Sequence, residues 1–88
     1  MSYVYLIQSI KTGQLYYGYT KDLKRRFLEH NQGKNFSTKP YAPYRLVYYE
    51  AYADEFDAKK RERQLKKFGQ GIYRLQSRLV RSLKHNKM

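Results

Sequence analysis

The chain has no cysteine and no tryptophan, and it has only two histidines among its 88 residues. The lack of cysteine excludes disulfide frameworks, thiolate catalysis and cysteine-based zinc sites. The two histidines, His30 and His85, are too few for a histidine-rich metal centre. These absences remove several common classes of catalytic and metal-binding protein before any motif is considered.

Long hydrophobic runs are also missing. No apolar stretch approaches the ~18 residues that are needed to span a bilayer. Residues 1–8 lack the basic segment and the apolar length of a secretory signal peptide. We therefore expect a soluble protein with no membrane partner, located in the cytoplasm and associated with the nucleoid if its source is bacterial.

Acidic residues are few, since 7 Asp and Glu oppose 19 Lys and Arg and leave a formal net charge of +12. Such a surplus repels itself in a chain that is long enough for only one domain. Nucleic acid is the commonest polyanion that relieves this repulsion, and an anionic membrane surface is the next. The 11 tyrosines suit β-strands, and tyrosine rings can also stack on bases.

The apolar, turn and capping residues predict an α+β domain in which helices flank a small three-stranded antiparallel sheet, in the order β-β-α-β-α-α. Thr20 and Asp54 are good N-caps for the first two helices, and Gly18 within a strand suggests a bulge or a close approach by another backbone. A single domain is expected over residues 1–83, followed by a basic tail over 84–88. We expect strands over 3–8, 14–19 and 45–52, and helices over 21–31, over 54–68 and from 72 to about 83.

Two polar residues border the inner face of the first predicted helix. A helix turns by about 100° per residue, so Leu23 and Phe27 define the inward stripe, and Arg26 and His30 flank it. Taken alone, Arg26 could snorkel over the edge of the core, and His30 could pad the end of the helix. The two side chains lie one turn apart, side by side.

The second predicted helix has a similar anomaly. Ala58 and Leu65 mark its inner stripe, and Glu62 lies between them on a helix whose other faces are basic. A carboxylate on an inner stripe costs free energy unless a partner neutralises it. A metal ion or an arginine would do so, whereas an exposed pair with Lys66 at i+4 is the structural alternative.

The order and spacing of these residues resemble the GIY-YIG nuclease family, also called the URI domain. The two triplets of that family are matched by Tyr-Val-Tyr at 3–5 and Tyr-Tyr-Gly at 16–18, with ten residues between them. Arg26 stands where the family's catalytic arginine is expected, His30 matches a histidine of many members, and Glu62 matches the metal-binding glutamate. The resemblance covers about residues 3–83 and is typical of the short stand-alone bacterial members.

Some positions depart from the family pattern. Tyr3 and Val4 replace the Gly and Ile of the first triplet, which is common among the short members. Many members also have an asparagine about twelve residues after the glutamate. This chain has Arg74 there, and the nearby amides are Gln70 and Gln76. The family's asparagine therefore has no match at the expected position.

The resemblance implies a metal-dependent DNA endonuclease, with structured DNA among its candidate substrates. Tyr16 would orient or deprotonate the attacking water. A tyrosine has an ordinary pKa near ~10, so it needs a nearby cation to act as a base. His30 or the metal could provide that positive charge. Tyr5 would share the face of Tyr16 if the hairpin register pairs odd with even positions, and it would then position the same water or phosphate. Arg26 would offer a planar fork to the scissile phosphate. Glu62 would hold one Mg²⁺ or Mn²⁺ ion.

Two other functions remain open at this point. One is a non-catalytic nucleic-acid-binding module that retains the nuclease fold, and the other is a basic domain that binds an acidic protein or a membrane. A two-metal site is not indicated, because the other six acids lie at helix starts, on an outer helical face or at a strand end. The sequence indicates no oligomeric state. The expected contacts with DNA phosphates are Lys34, Lys39, Arg61, Arg63, Lys66, Lys67 and Arg74.

Overall fold

The structure, a computed structural model, describes residues 1–67 and 70–84. Its order of elements confirms the predicted α+β fold, with helices flanking a three-stranded antiparallel sheet. No helix in these two ranges is both long and apolar enough to cross a membrane. The elements are β1 (Ser2–Ser9), β2 (Leu15–Thr20), α1 (Leu23–Asn31), a short 3-10 helix (Lys39–Tyr41), β3 (Tyr44–Tyr52), α2 (Glu55–Lys66), α3 (Gln70–Arg78) and α4 (Val80–Lys84).

The sheet has the strand order β2-β1-β3. The β1–β2 hairpin pairs Tyr5 with Gly18 and Ile7 with Tyr16. Because opposite residues of paired strands share a face, this odd-to-even register places Tyr5 and Tyr16 on the same face of the sheet, as expected. The irregularity of the sheet lies between Leu6 and Ile7, where β1 pairs with β3. The prediction of a bulge at Gly18 was therefore wrong.

The two faces of β1 bury different parts of the chain. Val4 faces a cluster with Ala58, Leu65 and Leu75, so α2 and α3 pack on that side of the sheet. Its neighbour Tyr5 points to the opposite side, where α1 packs. The central strand is almost completely buried as a result. The packing of α1 positions the candidate site described below.

The caps of the first two helices were predicted with mixed success. Asp54 caps α2 as expected, since its carboxylate accepts the backbone N–H of Phe56 at 2.7 Å. Thr20 is not the cap of α1. The N-cap is Asp22, two residues further along, whose carboxylate accepts the backbone N–H of Arg25 at 3.1 Å. The Thr20 hydroxyl instead accepts the backbone N–H of Asp22, a local turn that competes with capping.

The C-terminal helices also differ from the prediction. α2 ends at Lys66 rather than near residue 68, and α3 already begins at Gln70, within the segment that was expected to break the helix. The single third helix is divided at Leu79 into α3 and α4. The tail from residue 85 and the predicted helix end at residue 68 lie outside the described residues.

Candidate active site

Three buried side chains form a hydrogen-bonded chain that connects β1, α1 and the loop before β3. The hydroxyl of Tyr5 lies 2.7 Å from Nε2 of His30, and Nδ1 of His30 lies 2.8 Å from Oγ1 of Thr38. None of the three residues is more than 1% exposed. Sequence reasoning placed His30 at the edge of the helix face, but the structure places it entirely inside, against the ring of Tyr44.

The hydrogen bonds of Thr38 determine which nitrogen of His30 carries the proton. The Thr38 hydroxyl donates to the carbonyl of Asn35 at 3.4 Å. Its oxygen therefore accepts from Nδ1 of His30, and Nε2 accepts from the Tyr5 hydroxyl. Burial, together with the positive charge of Arg26, lowers the pKa of His30 to about 4. The imidazole is thus neutral at pH 7, and it is not a cation that could support a tyrosine base.

Tyr5 reaches His30 because the residue opposite it on β2 has no side chain. A Cβ on Gly18 would lie 2.2 Å from both Cζ and the hydroxyl oxygen of Tyr5. The close approach expected at Gly18 is therefore made by a side chain and not by a backbone. Burial raises the pKa of Tyr5 to about 12, although Arg26 opposes the shift. The phenol keeps its proton at neutral pH and donates it to His30.

Arg26 forms the boundary between this buried chain and solvent. Its side chain is 37% exposed, and its Nη1 donates to Oε1 of Glu29 at 3.3 Å. The interaction of its guanidinium with the Tyr5 hydroxyl is the largest of the effects that raise the pKa of Arg26. Because the guanidinium is hydrogen-bonded to Tyr5 on its buried side and exposed on the other, it can donate to an anion that approaches from solvent.

Tyr16 lies beside these residues and is half-buried. Its ring centroid is 5.1 Å from that of His30 and 6.4 Å from that of Tyr5. The ammonium of Lys66 lies 5.4 Å from the Tyr16 centroid, within the range of a cation–π contact. Lys66 was expected on the phosphate-binding surface, and the structure places it against this tyrosine.

Glu62 occupies the position that the helical spacing predicted. Ala58 and Leu65, which flank it on the inner stripe, are 0% and 1% exposed, and the Glu62 side chain is 21% exposed. Its Oε2 lies 2.9 Å from Nζ of Lys66. The i+4 ion pair considered as the structural alternative is therefore present, and it neutralises the half-buried carboxylate.

Two contacts connect Glu62 with the tyrosine cluster, although α2 packs on the opposite face of the sheet. The ammonium of its partner Lys66 makes a cation–π contact with Tyr16. The negative charge of Glu62 makes a small contribution to the raised pKa of Tyr5. The structure thus brings four predicted site residues into direct proximity and adds the fifth beside them. In order along the chain they are Tyr5, Tyr16, Arg26, His30 and Glu62.

The residues around Glu62 fit a singly ligated hard cation better than a dedicated metal cage. Within 1–67 and 70–84, no three His, Asp or Glu side chains converge as a metal-binding group. Mg²⁺ is commonly held by one or two carboxylates and completes its shell with waters and phosphate oxygens. Glu62 suits this pattern, because its partner Lys66 is 47% exposed and can turn towards solvent.

Arg61 is separate from the exposed basic surface. Its Nε and Nη2 donate to the two oxygens of Glu50 at 2.9 and 3.0 Å, and the hydroxyls of Tyr48 and Tyr52 donate to the same carboxylate. Burial alone would raise the pKa of Glu50, but these hydrogen bonds hold it below its usual value. Arg61 thus has a structural partner. The other predicted phosphate contacts are all exposed, including Lys66, which also pairs with Glu62: Lys34, Lys39, Arg63, Lys66, Lys67 and Arg74.

Sequence reasoning missed Thr38 and Tyr44. Thr38 lies in the segment 34–43, which has no periodicity that would relate it to a helix face. Tyr44 lies one residue before the predicted third strand, and its hydroxyl donates to the carbonyl of Thr38 at 3.3 Å. The only sequence signal for Thr38 was that a hydroxyl residue lies a few positions after the helix that contains His30.

Comparison with known proteins identifies the family of this chain. A family model described as the GIY-YIG catalytic domain matches residues 1–77. UPF0213 proteins of Staphylococcus saprophyticus and Staphylococcus aureus are 40% and 39% identical over 67 residues, which cover 75% of this chain and 80% of each relative. The solution NMR structure of a UPF0213 protein from Bacillus halodurans matches with a TM-score of 0.53 at 34% identity, covering 91% of this chain and 83% of that one. The family model spans most of the chain, and the protein therefore belongs to the GIY-YIG catalytic domain family.

Proposed function

We propose that this protein is a metal-dependent endonuclease that hydrolyses phosphodiester bonds in DNA and acts in the cytoplasm. Membership of the GIY-YIG family implies a nuclease and a nucleic acid substrate. The arrangement around Arg26 is the main support for catalysis by this chain. The partly exposed guanidinium of Arg26 interacts with the hydroxyl of Tyr5. Tyr5 is hydrogen-bonded to His30, and the half-buried Tyr16 packs against His30.

Hydrolysis joins a water oxygen to phosphorus while the P–O3′ bond breaks, which leaves a 5′-phosphate and a 3′-hydroxyl. Negative charge grows on the phosphate oxygens and on the departing O3′ in the transition state. Arg26 is suited to bind the non-bridging oxygens, because its planar fork can donate two parallel hydrogen bonds. We assign Tyr16, which lies beside Tyr5 and His30, to orient the attacking water.

Tyr5 and His30 are positioning residues in this mechanism. Both are buried, so neither contacts a substrate directly. Because the Tyr5 proton is donated to His30, its oxygen lone pairs remain available to Arg26. Fixing the guanidinium in advance avoids the free energy of reorganisation when the phosphate binds.

Glu62 is the residue that would hold a divalent cation, Mg²⁺ or Mn²⁺. A cation bound there would supply positive charge to phosphate oxygens and to the departing O3′. Lys66 has to release the carboxylate before Glu62 can act as a ligand, since the two side chains are 2.9 Å apart. The Lys66 ammonium would then be free to contact the substrate backbone.

Two observations favour a second candidate function, a non-catalytic module that binds nucleic acid. The Glu62 carboxylate is already neutralised by Lys66, and Arg74 stands where many family members have an asparagine. Such a module would retain the basic surface and lose the chemistry.

Variants of Arg26 separate the two functions. We expect Arg26→Ala to remove most cleavage of a panel of branched, nicked and linear labelled DNAs in Mg²⁺ or Mn²⁺, and to change DNA affinity only a few-fold, because one phosphate contact among several is lost. Arg25→Ala is the matched control, since Arg25 is the neighbouring arginine on α1 and is 74% exposed. Cleavage by Arg26→Ala at the parent rate would show that Arg26 only packs at the edge of the core.

A further inference from the structure

A pocket of about 510 Å³ lies beside α1 and is distinct from the Tyr5–His30–Arg26 cluster. The side chains of Tyr3, Leu46 and Tyr49 form its wall on the sheet, and Leu23 and Phe27 form its wall on α1. Tyr3 and Tyr49 meet edge to face with centroids 6.1 Å apart. Tyr49 is 52% exposed and Leu46 is 37% exposed. The pocket is within the usual size range of small-molecule sites, roughly 300–1,000 Å³.

The rim of this pocket is basic although its walls are apolar. Lys21 and Lys24 are exposed residues that line it at the start of α1. Lys21 has a loose contact of 3.6 Å with Glu55. The acid on the rim, Asp22, is occupied as the N-cap of α1. An apolar slot with cations at its mouth is complementary to a flat apolar ligand that has a negatively charged backbone.

The pocket adjoins a second one that Arg26 lines, because the two have residues in common. A second, polar pocket is lined by Arg25, Arg26 and Glu29, and it shares Lys21 and Asp22 with the apolar pocket. A nucleic acid strand with one phosphate at Arg26 therefore has a path past Lys21 into the apolar pocket.

We propose that this pocket binds one unpaired nucleobase of the substrate strand, stacked on Tyr49, with its flanking phosphates on Lys21 and Lys24. The proposal rests on the proposed function in that the ligand is nucleic acid. Base–aromatic stacking and lysine–phosphate contacts together bind single strands without reading their sequence. An apolar side chain of a partner protein could fill the walls, but it would supply no anion to the exposed ammonium groups of Lys21 and Lys24 at the rim.

The test compares two labelled strands of equal length by fluorescence anisotropy in EDTA, which prevents metal-dependent cleavage. One strand is an oligothymidine and the other is its abasic analogue, which retains every phosphate. We expect the parent protein to bind the thymidine strand more tightly. Tyr49→Ala should weaken that binding by ~5-fold or more, because stacking is lost, and should leave binding of the abasic strand almost unchanged. Lys24→Ala should weaken the binding of both strands by the same factor.

Two further variants and one spectrum make the result specific. Tyr49→Phe should keep the preference for bases. Phe36→Ala should be silent, because Phe36 is 93% exposed and does not line the pocket. In NMR spectra of the parent, the ring signals of Tyr49 should shift with the thymidine strand and not with the abasic one.

Equal affinity of the parent for both strands, or no effect of Tyr49→Ala on binding of the thymidine strand, would overturn the nucleobase pocket alone. Failure of the parent to bind either strand while it binds duplex DNA would likewise overturn the pocket alone, whereas failure to bind duplex DNA as well would overturn the proposed function.

Discussion

Burial holds the pKa of His30 far below that of a surface histidine. The imidazole is fully buried, and it is hydrogen-bonded at both nitrogens by Tyr5 and Thr38. Both of these contacts suit the neutral ring. His30 therefore orients the Tyr5 hydroxyl towards Arg26, and protonation of the ring would remove the acceptor to which that hydroxyl donates.

This property predicts a pH dependence of stability. The pKa of His30 is about 4 in the folded chain and ~6.5 in the unfolded chain. Between these values the unfolded state binds the extra proton, so the free energy of unfolding falls as the pH is lowered through this window. We expect the melting temperature to decline from pH 6.5 towards pH 4.5.

His30→Gln provides the comparison for this prediction. The variant should be less stable at pH 7, but its melting temperature should change less between pH 6.5 and 4.5. His85→Gln is the control and should keep the parent slope. An NMR titration in which His30 protonates near its ordinary value would show that burial does not set its pKa.

Some site residues could be predicted from sequence and others could not. Arg26, His30 and Glu62 were found because helical spacing relates each to an apolar stripe, and the family motif adds Tyr5 and Tyr16. Thr38 was not found, because a loop residue has no period that places it beside a helix. The neutral state of His30 was also missed, since burial of a residue on the edge of a predicted stripe depends on loop 34–43 closing over it.

At the scale of elements, α2 is the helix that combines most functions. Its inner stripe packs in the core, Arg61 binds Glu50 on β3, and Glu62 with Lys66 reaches the edge of the tyrosine cluster. The start of α2 was predicted correctly, because Asp54 is a strong cap. The partner of Arg61 was not predicted, since charge alone does not reveal which basic residue will meet an acid on another strand.

This division of α2 predicts different effects for two of its arginines. Arg61→Ala should lower the free energy of unfolding by ~1–3 kcal/mol, because the half-buried Glu50 loses a charged hydrogen-bond partner. It should have little effect on DNA affinity. Arg63→Ala, on the exposed face of the same helix, should leave stability unchanged within ~0.5 kcal/mol and weaken DNA binding slightly. Thermal melts and anisotropy titrations measure both properties, and the reverse assignment of effects would contradict the account.

At the scale of the whole molecule, the net charge of +12 is the dominant property. Two acids at the candidate site are paired with basic residues, Glu29 with Arg26 and Glu62 with Lys66. Composition predicted the polyanionic partner, but it could not show which cations are engaged with acids. That information requires the fold, as the case of Arg61 shows.

The charge should make DNA binding depend strongly on salt. If about six phosphates are neutralised, the slope of log K against log [salt] should be near roughly −5 on duplex DNA. A double variant of two exposed basic residues, Lys34→Ala with Arg63→Ala, should reduce that slope by about two. A flat salt dependence in anisotropy titrations would rule out nucleic acid as the principal partner.

The most direct test of the proposed metal-dependent nuclease is the cleavage of labelled DNA by the parent protein and by Glu62→Gln. Glutamine keeps the size and the hydrogen bonding of the side chain and removes the charge that would hold the cation. We expect the parent to cleave in Mg²⁺ or Mn²⁺ and to stop in EDTA. Glu62→Gln should lose ~100-fold or more of the rate, bind DNA as well as the parent or better, and melt at nearly the same temperature. Cleavage by Glu62→Gln at the parent rate, or its unfolding, would show that Glu62 is only the ion-pair partner of Lys66.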